Sequence, residues 1–440
     1  MNNSSINAKG IQLKFSHCLI LFFLLCCEMF LPLRGWAQSF SNTGAFYFTG
    51  SHNPIRTGNF RFRQFLPGDG LKVGPARVHP FLGVAQVYTD NVFRTDTQRK
   101  GGTLTTIAPG IQASLPFGGR HSMLFDYRAA QFLYAKFSQN NALAQNGLGH
   151  LQLDFPSGLK LDFQANHVEG FDPRGSQVDS RQNDITKWNV NSFRNQVEFT
   201  GANLGIRVAV NHLRLHFKNN DQAAPRDRNT TSANLTVFIP ATVGASGLLG
   251  VLVADRNYDE NNQLDSFSYG VFTGFRLAPS RQVSGEFNLG YSILNFDRAP
   301  LSQPPGSGLS VGGKQQKALF MRGDLRWRPT TRLDVRLRPF RAITQSAVFN
   351  TTTFIRTGAK LSVRQQLRKR FEIQGSFLYS NNNFQDSRTD NRFRWRTVLR
   401  YRTVEWLGFQ LSYTFSKRSS SDNQFDFYSN TVMISVQGLL

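Results

Sequence analysis

The breaks between patterned segments constrain this chain more than any other feature. Across residues 78–440 the sequence runs as short segments in which apolar and polar residues alternate, as they do in a β-strand with two different faces. The breaks are short and long in turn. Residues 116–119 and 156–158 are short and rich in Gly, Pro and Ser, whereas residues 169–187 and 297–314 are long and irregular. Short turns at one end and long loops at the other are typical of outer-membrane barrels.

The alternation predicts one all-β domain over residues 78–440. Its fold is a transmembrane, antiparallel, up-and-down β-barrel of about 18 strands (16–18), with both ends on the periplasmic side. Most strands are long enough to span the membrane when tilted. The predicted strands cover residues 78–89, 102–115, 122–137, 146–155, 159–168, 188–199, 204–217, 231–240, 246–257, 266–277, 282–296, 317–328, 332–345, 353–366, 370–380, 391–402, 407–416 and 426–440.

Residues 1–37 have the layout of a cleaved signal peptide. Lys9 and Lys14 precede a short apolar stretch, and Gly35-Trp36-Ala37 offers small residues at the positions that a signal peptidase reads. All three cysteines lie in this segment, so we expect a mature chain with no disulfide and no cysteine-ligated metal. Residues 38–77 show no sustained period, and we predict that they form a periplasmic extension.

Composition agrees with a barrel and excludes a helical membrane protein. Hydrophobic residues make up 40% of the chain, the mean hydropathy is −0.34, and no long apolar run follows the signal segment. Phe is abundant, at 40 residues, as expected for aromatic girdles on a lipid-facing band. The formal net charge is +23, and removal of residues 1–37, with three cations and one carboxylate, leaves +21.

Arginines and apolar residues alternate on the strands after residue 316. In strand 391–402, Phe393 and Trp395 share one face, while Arg392 and Arg394 share the other. A lipid-facing Arg near the membrane midplane costs roughly 2–4 kcal/mol, so the arginine faces are expected to line the lumen. The predicted cationic lining is Arg322, Arg326, Arg328, Arg332, Arg336, Arg338, Arg356, Lys360, Arg364, Arg392, Arg394, Arg396, Arg400 and Arg402. The same strands carry three carboxylates, Asp324, Asp334 and Glu372, so this wall is expected to be strongly positive.

Two interpretations of the cationic wall stay open. It could select anions, as basic rings do in anion pores. Alternatively, the arginines could pair with carboxylates of a plug or loop, or bind lipopolysaccharide phosphates at the rims. Nucleic acid is not expected, because the aromatic residues lie on the face opposite the arginines and no base could stack there.

No arrangement of residues predicts an enzyme, a metal site or a cofactor. The histidines are scattered, and no Gly-x-Ser-x-Gly or similar nucleophile motif accompanies them. His212, Arg214 and His216 are placed on one lumen face by assuming a bulge near Asn211. With an Arg between the two histidines, a polar patch is expected there and not a metal site.

The start of the predicted barrel resembles a known family. Val78-His79-Pro80-Phe81, leading into Val87-Tyr88-Thr89-Asp90-Asn91-Val92-Phe93-Arg94, is similar to the opening strand of the beta-barrel porins encoded beside exopolysaccharide and exosortase systems. Phe171-Asp172-Pro173-Arg174-Gly175 is similar to the first long loop of that family. The resemblance covers roughly residues 72–200. It implies an outer-membrane barrel linked to polysaccharide export, with no catalytic residues to carry over.

Together these observations predict a passive conduit in the cell outer membrane for acidic polysaccharide or smaller anions. The alternative is a non-conducting barrel that scaffolds a surface-polymer export or assembly machine. The expected partners are outer-membrane lipid and lipopolysaccharide, the barrel assembly machinery, anionic polysaccharide and export-system proteins.

Overall fold

The computed structural model describes residues 70–172, 174, 185–219, 227–260, 264–278, 282–297, 315–345, 353–384 and 388–439. The predicted signal peptide and residues 38–69 lie outside these ranges. Within them, no helix is long and apolar enough to cross a membrane.

Nineteen strands make up the described chain, and eighteen of them, β2 to β19, match the predicted strands one for one. The strands are β1 (Leu71–Val73), β2 (Ala76–Thr89), β3 (Gly102–Phe117), β4 (His121–Tyr134), β5 (Ala142–Asp154), β6 (Leu159–Phe171), β7 (Lys187–Thr200), β8 (Gly205–Phe217), β9 (Arg228–Thr242), β10 (Ala245–Tyr258), β11 (Ser266–Leu277), β12 (Val283–Phe296), β13 (Gln315–Thr330), β14 (Leu333–Gln345), β15 (Thr353–Arg368), β16 (Phe371–Phe384), β17 (Arg388–Val404), β18 (Leu407–Ser420) and β19 (Phe427–Leu439). Short 3-10 turns occupy Ser138–Asn140 and Asn423–Phe425.

The eighteen strands form one closed sheet. Each pairs antiparallel with its neighbours in sequence, and β19 pairs with β2 to complete the ring. Strand β1 is a small addition that pairs only with the start of β2. The predicted all-β, closed, up-and-down barrel is therefore confirmed, with eighteen strands.

The two ends of the barrel differ as predicted. At one end the strands are joined by turns of two to five residues, and the barrel's first and last strands also begin and end there. Gly158 and Gly244, in two of these turns, have φ of 84° and 78°, a left-handed conformation that glycine adopts without strain. At the other end the connections are mostly longer. We call these the turn end and the loop end; in outer-membrane barrels the turn end is periplasmic.

Several strands continue further toward the loop end than predicted. Residues 381–391 were expected to form a long loop, but β16 runs to Phe384 and β17 begins at Arg388, which leaves three residues between them. Residues 417–425 were also expected to be irregular, but β18 continues to Ser420. Polar residues occupy both faces of these extensions, so the apolar alternation that marks a strand inside the membrane is lost while pairing continues.

The outer face of the barrel is apolar. Trp327, Leu337, Leu361 and Trp395 are 48, 41, 39 and 48% exposed, and each lies one residue away from an inward-facing polar side chain. An apolar outer surface of this kind faces lipid, where it is stable without being covered by protein.

Part of the inner face is apolar as well. A first cluster near the loop end joins the two sides of the ring closure through Val87, Leu104, Phe132 and Met433, and Phe171 packs on it from the end of β6. A second cluster lines β6 to β8, with Trp188 and Leu215 at its centre. The interior of β2 to β8 is thus lined in its loop half by packed side chains and not only by polar groups.

The residues that carry the family resemblance fix the seam between the first and last strands. Both carboxylate oxygens of Asp90 accept hydrogen bonds from Asn430, one from the backbone N–H and one from the side-chain amide, each at 2.7 Å. Asn91 is buried and donates to the backbone oxygens of Thr95 and Tyr428 at 2.7 and 2.9 Å. The Thr-Asp-Asn sequence at the end of β2, residues 89–91, therefore holds β19 beside β2, and we call it the clasp.

The second family motif fixes the start of the loop that follows β6. Trp188 donates its indole N–H to Asp172 at 3.1 Å, and Arg174 donates to the side-chain oxygen of Asn140 at 3.1 and 3.0 Å. Arg174 and Asp172 are both buried. These hydrogen bonds hold the start of the loop against the 3-10 turn that follows β4 and against the start of β7.

Asn91→Ala should weaken the closed barrel. The change removes the Asn91 side-chain bonds and leaves a buried backbone oxygen without its donor, so we expect unfolding to become easier by about 2–4 kcal/mol. The urea midpoint of the detergent-solubilised barrel, followed by heat-modifiable gel migration, measures this. Asn381→Ala is the control, since it removes one exposed bond to Asn391 away from the seam; equal effects of the two changes would show that the clasp has no special role.

Candidate functional site: the barrel interior

Contacts across the barrel identify which face of each strand is inside. Arg207 of β8 donates two hydrogen bonds to Glu286 of β12, at 3.0 and 2.9 Å, although three strands lie between them in the sheet. Only side chains that point into the barrel can meet in this way. Glu286 pairs in register with Asp324 of β13, so Asp324 and the arginines two residues either side of it also face inward.

Arg207 and Glu286 belong to a group of four charges near the turn end, which we call the cross-barrel quartet. Glu198 lies opposite Arg207 in the β7–β8 register, and Arg276 lies opposite Glu286 in the β11–β12 register. Arg276 donates to Glu198 at 2.8 and 3.2 Å, so the two strand pairs exchange ion-pair partners across the interior. Both guanidinium groups stack on the buried ring of Phe238, at 4.9 and 3.8 Å from its centroid.

The quartet requires a barrel that is not circular at this level. Eighteen strands about 4.8 Å apart and tilted by about 40° would form a circle of roughly 18 Å radius. Positions four strands apart on that circle would be separated by roughly 23 Å, which an Arg and a Glu side chain cannot span together. The wall from β7 to β12 therefore bends inward near the turn end. The side chains that pack inside this indentation are Phe238, Leu248, Phe272 and Phe320.

The opposite part of the interior, on β13 to β18, carries the predicted cationic residues. Its three predicted carboxylates are all engaged in ion pairs in the turn half. Asp334 accepts from Arg326 and, at 2.7 Å, from Arg364. Asp324 pairs with Arg336 at 2.5 Å and with Arg338 at 3.6 Å, and Glu372 accepts from Arg400 at 2.5 Å. Five of the fourteen predicted cations are thus paired with carboxylates of neighbouring strands.

Charge is distributed unevenly along the barrel axis. In the loop half of β15 to β18, inward positions carry six cations, which we call the loop-half cluster: Arg356, Lys360, Arg388, Arg392, Arg394 and Arg418. The described residues of these half-strands contain one carboxylate, Asp390, which pairs with Arg388 at 3.0 Å. Three carboxylates pair with five cations of the turn half, whereas one carboxylate lies among the six cations of the loop-half cluster, so positive charge is less compensated in the loop half.

The position of one predicted residue differs from the expectation. Arg332 is exposed in the two-residue turn before β14, because that strand begins at Leu333. At the same end Arg402 donates to the backbone oxygen of Lys369 at 3.2 Å, so it lies at the turn rim. Arg322 lies on the inner face in register with Phe340.

Sequence reasoning missed three inward residues of this wall. Arg388, Asp390 and Arg418 lie on the loop-end extensions of β17 and β18, which were expected to be loop. The signal was present, since arginine and aspartate keep the period of two from residue 388 to residue 396. The quartet was also missed, because contact between β7–β8 and β11–β12 depends on the cross-section of the barrel and leaves no mark in one sequence.

The expected lumen position of His212, Arg214 and His216 is wrong. The β7–β8 register runs without interruption through Asn211, so there is no bulge to change the face. All three therefore share the outer face with Val208 and Val210, opposite the inward Arg207. Near the loop end they lie in a polar collar, where Arg214 pairs with Asp259 and His216 with Asp227.

Among the described residues, no group of three or more His, Cys, Asp or Glu side chains is arranged to hold a metal ion. Many polar groups of the interior instead form arginine–carboxylate pairs and amide hydrogen bonds.

A closed barrel with an apolar outer face, short turns at one end and a charged interior defines an outer-membrane β-barrel. Residues 67–438 match the family described as "Putative beta-barrel porin 2", and the chain belongs to that family. The protein is therefore a porin-like barrel of the outer membrane. No curated protein sequence matches it.

Three of the solved structures that match this chain are a ferric enterobactin receptor, OpdL and a secretin. The ferric enterobactin receptor PfeA of Pseudomonas aeruginosa matches with 7% identity and a TM-score of 0.43, over 84% of this chain and 81% of that chain. OpdL of the same organism matches with 10% identity and a TM-score of 0.41, over 84% and 99%. A bacterial polysaccharide outer-membrane secretin matches with 10% identity and a TM-score of 0.34, over 81% and 97%. Their substrates are not transferred to this chain.

A cysteine pair should test whether the wall of β7 to β12 bends inward. In the mature protein, Arg207→Cys/Glu286→Cys should be joined within one molecule by a short bismaleimide, because the parent side chains are in contact across the interior. The product is measured as altered migration of the unfolded chain. Arg207→Cys/Arg400→Cys, on strands nine apart in the sheet, should remain unlinked. Failure of the first pair to react would mean that the barrel is open at this level.

Proposed function

We propose that this barrel is a passive passage through the outer membrane that prefers anions, either small anionic solutes or acidic polysaccharide of an export system. The observation that carries the proposal is the loop-half cluster, in which six cations share one carboxylate on the inner wall. Rings of basic side chains favour anions by lowering their electrostatic energy in the pore. No chemical step is required of such a passage, and we assign the chain no enzymatic activity.

The uneven charge along the axis gives the proposed passage two regions. An anion that enters from the loop end meets the excess positive charge first. It then meets the turn half, where Asp324, Asp334 and Glu372 pair with five of the arginines and offset part of their charge. Attraction at the first region raises the local concentration of anions, and weaker attraction at the second allows them to leave, as conduction requires.

A second candidate function is a non-conducting barrel that scaffolds a surface-polymer machine. The cross-barrel quartet favours it, because two pairs of ionic contacts bridge the interior near the turn end. The apolar clusters on β2 to β8 and β9 to β13 also reduce the polar part of the interior. The two functions differ in one measurable property, which is conductance.

Reversal potentials in planar bilayers test the proposal. Under a KCl gradient the wild type should prefer chloride, and the preference should fall as salt rises, since the Debye length shrinks from about 10 Å at 0.1 M to about 3 Å at 1 M. Arg392→Gln/Arg394→Gln/Arg396→Gln should reduce the preference and still fold, because the changed face meets no lipid.

The control is Arg214→Gln, which removes a cation from the outer collar and should leave the reversal potential unchanged. A wild type that prefers cations, or a triple variant with unaltered preference, would refute the anion passage. Complete absence of conductance would favour the scaffold.

A further inference from the structure

We propose that Arg356, Lys360 and Arg392 form a binding site for a single oxyanion group, such as the carboxylate, sulfate or phosphate of an acidic sugar or of a small anion. The site lies within the loop-half cluster, and its role as a stopping point in transport rests on the proposed function.

The three cations lie on the inner wall around one register position, that of Gly358. Gly358 of β15 lies in register with Ser380 of β16, which in turn lies in register with Arg392 of β17. Arg356 and Lys360 are two residues before and after Gly358, so both point to the same inner face. Arg392 therefore lies two strands away, at the register position midway between Arg356 and Lys360.

The ring of Phe340, in register with Gly358 on the neighbouring strand, lies over this glycine. A Cβ atom there would lie 2.3 Å from the backbone oxygen of Tyr379 and 2.7 Å from Cζ of Phe340, so no larger residue fits. The Phe340 ring, which approaches the glycine, also lies 5.0 Å from the guanidinium carbon of Arg356. The Phe340 ring therefore forms the floor of the site, and an oxyanion would bind on its lumen side.

Several nitrogen atoms of these cations lack a hydrogen-bond partner within the described part of the chain. Nε and Nη2 of Arg392 and Nε of Arg356 are buried without a hydrogen-bond partner there. Lys360 is 8% exposed, and no described side chain forms an ion pair with it. Buried polar groups are nearly always hydrogen-bonded, and a buried charge without a partner is costly. A ligand of opposite charge would satisfy all three residues at once.

The chain itself offers little negative charge for this position. Asp390 is engaged by Arg388 and by the hydroxyl of Ser420. The predicted extension, residues 38–77, contains one carboxylate, Asp69, and five cations, so it would add positive charge and not remove it. The connection at residues 385–387 contains one carboxylate, Asp386, and that at residues 346–352 contains none.

The chemistry of the donors selects an oxyanion over chloride. Two guanidinium groups can each bind two oxygen atoms in a planar fork, and the ammonium group adds a point charge. A carboxylate, sulfate or phosphate accepts several such bonds in fixed directions. Chloride has no such geometry, so it should compete only through its charge.

Calorimetric titration of the full-length barrel in detergent tests the site without requiring conductance. Sulfate, phosphate, glucuronate and a glucuronate oligomer are titrated at constant chloride. The wild type should bind one oxyanion group per barrel, and Arg392→Gln and Lys360→Met should each weaken binding at least tenfold. Lys360→Met should remain folded, because it replaces a buried cation with an uncharged side chain of similar length.

Arg341→Gln is the matched control. Arg341 lies on the neighbouring strand, on the outer face, where it donates to Thr357 at 2.8 Å. The change removes the same charge at a similar height without touching the site, so oxyanion binding should be retained. This control separates a specific site from a general effect of net charge.

The outcomes separate this proposal from the proposed function. No saturable binding by the wild type, or an affinity in Lys360→Met and Arg392→Gln equal to that of the wild type, would overturn the site even if the barrel conducts anions. Binding without conductance would leave the site in place and overturn the passage. Tighter binding of the oligomer than of the single anions would assign the site to a polymer, and equal binding would assign it to small anions.

Discussion

Every other property of this protein depends on closure of the sheet. Within lipid an unpaired strand edge would leave a row of N–H and C=O groups without partners, so the chain must bring its first and last barrel strands together. These strands lie far apart in sequence, and the Asp90–Asn430 contact spans 340 residues. Closure gives each strand an inside and an outside. Only then does the alternation of apolar and polar residues become a lipid face and an interior.

Register transmits this assignment around the ring. Directly paired residues share a face. One contact across the interior, between Arg207 and Glu286, therefore identifies which face of β12 and of β13 points inward. The same contact holds the wall of β7 to β12 bent inward, and apolar side chains fill the resulting indentation. The charged wall on β13 to β18 is left facing the remaining interior. Three of its four described carboxylates lie in the turn half, so the positive charge is less compensated toward the loop end.

The sequence predicted the fold well where lipid imposes a period of two. Leu361 and Trp395 are outward as expected, because a strand inside the membrane must present apolar side chains on one face. Prediction failed where the strands leave the membrane, since both faces then meet water and the period carries less contrast. Arg388 and Arg418 were missed for this reason, and His212 was assigned to the wrong face by assuming a bulge. The cross-barrel quartet could not be predicted, because its contacts depend on the shape of the closed ring.

Thiol modification rates measure the electrostatic potential along the interior most directly, and the lack of cysteine predicted for the mature chain makes the experiment simple. Single cysteines at Ser416, in register with Arg394, and at Gln410, in register with Arg400, sample the two halves. The ratio of rates for an anionic and a cationic methanethiosulfonate reports the local potential. The account predicts a clearly higher ratio at Ser416→Cys than at Gln410→Cys, decreasing with added salt. Equal ratios, or a higher ratio at Gln410→Cys, would contradict it.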